Sequence, residues 1–233
     1  MLLGSYGLLL DAPASFVRLT LVVAFSLVVA VTIHEFSHAL VANGLGDTTA
    51  KRLGRLSLNP IRHLDPSGTV MMLVAGFGWG KPVPIDPRQL AHGNTGTALV
   101  AAAGPLSNLV LAFVIAVPIK LGALGSTHPD LRRVAHVMTG GFTEGLADIA
   151  GLVILFNLLL AVFNLIPLAP LDGSKVMAGF VPAEHTSAYN RLQQSGPAIL
   201  IGIILLDFTL GLGILWGIIG PVVRTLTSAA IGG

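Results

Sequence analysis

Residues 16–42 read FVRLTLVVAFSLVVAVTIHEFSHALVA, and this stretch decides the fold. It is apolar over a length that, wound as a helix rising 1.5 Å per residue, crosses a hydrocarbon layer of about 30 Å. Inside it stands His34-Glu35-Phe36-Ser37-His38. Two histidines four apart share one face of a helix, so both imidazoles can reach one metal ion. Glu35, between them, is placed to take a proton from metal-bound water. Ionisable groups are costly at that depth, which points to function rather than to chance packing in a polar patch between helices.

The composition fits the same setting. The chain has 233 residues, of which 53% are hydrophobic and 10% charged, with mean hydropathy +0.83. A soluble domain carries about 25% charged residues. The expected fold class is therefore an all-α polytopic membrane protein, because the apolar runs lack barrel-type alternation. The chain has no cysteine, so disulfides and thiolate zinc sites are excluded and any metal must be held by His, Asp, Glu or Asn. The net charge is +2, and neither a Lys/Arg run nor an aromatic platform suits nucleic acid. Residues 1–10 are apolar but short and lack a basic start. They read as an interfacial lead-in rather than a cleaved signal.

Working outward, the expected domain is a single membrane unit over 1–233. Four long spans fall at about 15–42, 96–121, 144–168 and 198–222. Residues 68–80 are apolar, glycine-rich and too short to cross, and Lys81-Pro82-Val83-Pro84-Ile85 follows in proline-restrained form. We expect 68–85 to be a re-entrant or interfacial β-hairpin-like segment. It either walls the site, offering a strand edge to an extended substrate backbone, or packs as a lid. His63 and Asp65 either lie near the site or form a solvated loop pair, the reading we favour; His92 reads as solvated, and His128, His136 and Glu144 as loop or interface residues.

Several buried polar residues carry two readings each. Asn108 follows the Ala101-Ala102-Ala103-Gly104-Pro105 run; it either bonds a neighbouring helix or offers its amide to a substrate carbonyl or oxyanion. Asn157 and Asn164 lie in the third span. Asp172, in Pro167-Leu168-Ala169-Pro170-Leu171-Asp172-Gly173, either caps the next helix or meets a metal. Asp207 in the fourth span snorkels, pairs with another polar group, or lines a cavity. Gly213 and Gly217 stand at helix-packing spacing.

Counting spans links the two halves. Loops 43–94 and 169–197 hold eight of the thirteen Lys/Arg, which puts both in the cytoplasm and the N-terminus outside. His38 and Asp172 then emerge on the same membrane face, provided that 68–80 does not cross. A carboxylate can there join two imidazoles and leave a fourth metal position open.

HEFSH in the first span and NLIPLAPLDG after a later one together resemble the site-2 protease family of intramembrane metalloproteases. LNPIRHLDPSG, GWGKPVPID and AAAGPLSN are similar to its short members, and the likeness runs from about Phe16 to Gly196. The resemblance implies Zn2+ held by His34, His38 and Asp172, with Glu35 as the catalytic carboxylate. Asn108 and Asn164 match positions lining the site. It also implies a single-span membrane protein or a signal-peptide remnant as substrate partner. The Lys/Arg bias of the loops puts the site nearer the cytoplasmic face of a cell membrane. The chain departs from larger members in showing neither a PDZ nor a CBS region. Two other readings use the same ligands, a metal transporter and an inactive scaffold. Transport gives no reason for Glu35, and the intact His-Glu-His-Asp set argues against the scaffold.

Overall fold

A computed structural model describes residues 10–75, 79–125 and 141–232. The expectations for residues 1–9, His128 and His136 lie outside them. The helices are α1 Pro13–Gly44, α2 Thr49–Arg52, α3 Pro66–Ala75, α4 Gly93–Lys120, α5 Phe142–Asn164, α6 Asp172–Ala178, α7 Thr186–Leu210 and α8 Ile214–Ile231. Single 3-10 turns at Pro60–Arg62 and Ala183–His185 separate some of them.

Five of these helices, α1, α4, α5, α7 and α8, are long and apolar enough to cross a membrane. Buried positions on α1 fall at Leu19, Val22, Val23, Ser26, Ala30, His34, His38 and Ala42, a stripe repeating every three or four residues. The ligand-type histidines thus continue the packing face. Leu19, Val22 and Val23 pack on Leu152 of α5. A second cluster joins Ala112, Ala116 and Ile119 of α4 to Ile154 and Leu158 of α5 and Val223 of α8. Alanine and glycine on the inner face of α4 let the backbones approach closely. The outer faces carry Leu21, Phe25, Val110 and Val114, all exposed, as lipid-facing surface requires.

Two expectations are corrected. Residues 68–85 do not form a β-hairpin. The described part begins as helix α3, continues in extended form from 79, and makes one isolated bridge, Leu64 with Gly80. The helix forms because Asp65 caps it. Its Oδ1 accepts the Gly68 backbone N–H at 2.9 Å, and Pro66 occupies the first turn. Asp65 is therefore a helix cap and not half of a loop pair. Its former partner His63 is fully buried, its Nε2 2.6 Å from the Ser57 carbonyl.

The span expected at 198–222 is two helices. Gly211 and Gly213 adopt φ of 63° and 67°, and the chain turns there. Asp207 explains the turn's stability. Its carboxylate accepts the N–H groups of Ile214 at 2.7 Å and Leu215 at 2.8 Å, which are orphan donors at the start of α8. Gly213 is thus a turn residue rather than part of a helix-packing pair. Lys120 Nζ donates to the Ala229 carbonyl at 3.3 Å, so the C-terminal ends of α4 and α8 lie together.

Candidate metal centre

His34 and His38 project from the buried stripe of α1 towards the N-terminal half of α4. Their rings meet edge to face, with centroids 4.7 Å apart and planes at 88°. Gly104 makes room for them. A Cβ there would lie 2.5 Å from His38 Nε2 and 2.7 Å from His34 Cε1.

Asp172 arrives from the other half of the chain. It is the first residue of α6, one past the N-cap Leu171, and its carboxylate turns to the two histidines. Its Oδ2 lies 3.0 Å from His34 Nε2 and 3.1 Å from His38 Nε2. Gly173 sets this approach, because any Cβ would collide with the Leu165 and Ile166 carbonyls at the end of α5. The cap reading of Asp172 therefore gives way to the convergence.

The outer edges of both imidazoles are held. His34 Nδ1 donates to Asn108 Oδ1 at 2.7 Å, and His38 Nδ1 donates to the Val100 carbonyl at 2.7 Å. In neutral rings with Nδ1 protonated, each Nε2 presents a bare lone pair to Asp172. Two lone pairs and a carboxylate oxygen then face one another across about 3 Å, a set of acceptors without a proton between them. A divalent cation resolves that convergence, and a nitrogen, nitrogen, oxygen donor set suits zinc. Among the described residues, this trio is the one group of three His, Asp or Glu able to share an ion.

Glu35 stands half-buried in the same place, its Oε2 accepting the Val83 N–H at 3.2 Å. A cavity of about 560 Å3 opens beside it, lined by His34, Glu35, His38, Asn164, Asp172 and Lys175 among others. The extended chain at 80–87 forms one wall. Pro82 and Pro84 keep it extended, and the N–H groups of Lys81 and Asp86 are anchored on the His63 carbonyl and on Asp47.

Asn164 is brought to the cavity and Asn108 is not. Asn108 is fully buried, and its Nδ2 protons go to the Ala30 carbonyl at 3.0 Å and Asn157 Oδ1 at 2.7 Å. No donor remains there for a substrate oxyanion; what it does is orient His34. The Val100 carbonyl and Gly104 escaped the sequence reading. The AAAGP run carried the only signal, and it marked close approach without saying to what.

Residues 22–206 match the family described as Peptidase family M50. The chain is 39% identical over 191 residues to the Bacillus subtilis protein named "Putative zinc metalloprotease YwhC", covering 82% of each. It is 30% identical over 198 residues to "Putative zinc metalloprotease Rip2" of Mycolicibacterium smegmatis, covering 83% of this chain and 70% of the relative. No solved structure gives a significant match.

Proposed function

Since the chain belongs to peptidase family M50, the zinc-dependent site-2 protease family, we propose that it hydrolyses a peptide bond in a membrane-spanning segment of another protein, using His34, His38 and Asp172 as zinc ligands. The observation that carries this reading is the convergence of the three donor atoms beside Glu35 in a cavity at the ends of apolar helices. Zinc in that place supplies Lewis acidity, polarising the scissile carbonyl and lowering the pKa of water.

The chain's own residues do the rest. Glu35 accepts the proton of the attacking water and hands it to the leaving amine. Asn108 and the Val100 carbonyl keep the Nε2 atoms of His34 and His38 bare. An unwound substrate stretch lies along the wall at 80–87, with Asn164 across the cavity offering an amide to its backbone. A helical substrate hides its carbonyls in its own hydrogen bonds, so favoured substrates carry helix-weakening residues near the cut. The site opens towards the cytoplasm, as the Lys/Arg-rich loops suggest.

The test is comparative proteomics of membranes containing the wild type or Glu35→Gln. A single-span protein or signal-peptide remnant should accumulate uncut with the variant. Purified Glu35→Gln should keep its zinc and lose at least about 10²-fold in turnover, the scale of a lost acid–base group. Asp172→Ala should release zinc. Wild-type turnover in Glu35→Gln overturns the mechanism.

A further inference from the structure

Asn157 lies on α5, fully buried, and its side chain reaches neither zinc ligand. Its Nδ2 donates to the Val153 carbonyl at 2.8 Å, and its Oδ1 accepts from Asn108 Nδ2 at 2.7 Å. This order fixes every donor and acceptor in the line. A carbonyl only accepts, so the nitrogen of Asn157 faces Val153 and its oxygen faces Asn108. The nitrogen of Asn108 must then face Asn157, which leaves its oxygen for His34 Nδ1. That ring nitrogen carries the proton, and Nε2 is left bare towards Asp172.

We propose that Asn157 is a positioning residue for zinc binding, setting the tautomer of His34 through Asn108. The inference rests on His34 being a zinc ligand. The Ala30 carbonyl takes the other Asn108 proton; like the Val153 carbonyl, it sits inside a helix and serves the ladder as well. Ala30 and Asn157 thus hold the Asn108 amide from two sides. Without Asn157 one buried Nδ2 proton loses its acceptor and a single carbonyl holds the amide, so the turned-over orientation gains population. In that orientation the nitrogen faces Nδ1 and favours the proton on Nε2, which closes that atom to the metal.

The experiment measures zinc affinity of the full-length purified protein by chelator competition, and records the visible spectrum of the cobalt-substituted form. Asn157→Leu should weaken zinc binding about 10–100-fold, the usual loss for an outer partner of a metal-ligating histidine. Asn157→Asp should restore it, because a neutral carboxyl donates to Val153 and accepts from Asn108. On an Asn108→Ala background, Asn157→Leu should cost nothing further, since its effect runs through Asn108. Where the leucine variant fails to fold, Asn157→Ala gives the same comparison, and a cobalt spectrum unchanged from wild type overturns the proposal. So does wild-type zinc affinity in Asn157→Leu, or a full additional loss on the Asn108→Ala background. His34→Ala is the control: if it retains wild-type affinity, the ligand assignment itself fails; if it loses zinc while Asn157→Leu does not, only the relay fails.

Discussion

At the scale of single residues, the site depends on where side chains are missing as much as on where they stand. Gly104 faces both imidazoles, so its replacement strains the fold and the metal site together. Alanine favours a helix interior over glycine by about 1 kcal/mol, but overpacking against two buried, hydrogen-bonded rings costs about 1–3 kcal/mol, so Gly104→Ala should leave thermal stability level or lower. Its methyl group must displace His38 and His34, and zinc affinity should fall by about 10-fold or more, as for other lost supports of a metal ligand. Isothermal titration beside a thermal melt checks both halves. The histidines were legible in the sequence because four-residue spacing is a local property of a helix. The partners of Asn108 were not, because His34 lies 74 positions before it and Asn157 lies 49 after. No local pattern joins residues brought together only by packing three helices.

At the scale of elements, short polar contacts decide where the helices begin. Asp207→Ala removes both acceptors from the start of α8 and should cost about 0.5–2 kcal/mol, the range for a lost N-cap, read as a lower melting temperature. Zinc affinity should not change, since α8 supplies none of the three proposed ligands. The turn at 211–213 was hidden because apolar residues continue on both sides of it, and hydropathy sees one run. Helix α3 was hidden differently. Its Asp-Pro-Ser-Gly start is a helix signal, but the glycines of 68–80 suggested irregular backbone. Asp47 ties α2 to the chain at 86, accepting the Thr49 N–H at 2.9 Å and the Asp86 N–H at 2.7 Å. Burial opposes its charge, yet these bonds and Arg52 outweigh burial and hold its carboxyl below the usual aspartate range. A depressed native pKa contributes stability above the ordinary value of about 3.9 and loses it as pH falls through the lower native value. The melting-temperature advantage of wild type over Asp47→Asn should therefore be full at pH 6 and shrink below about pH 4.

At the scale of the whole molecule, α1, α4 and α5 alternate in direction, and the proposed ligands come from the ends that share a face. The absence of native cysteine makes this testable by single-cysteine labelling with a membrane-impermeant maleimide. Lys51→Cys and Glu184→Cys should react from one side of the membrane, and Leu121→Cys from the other. Reaction of all three from the same side would break the arrangement. The separation of 138 positions between His34 and Asp172 has a further consequence for biosynthesis. A nascent chain inserting from its N-terminus holds both imidazoles and Glu35 long before the carboxylate leaves the ribosome. Until then it has two of the three proposed ligands, so the proposed centre is completed only after the third long apolar helix has been made.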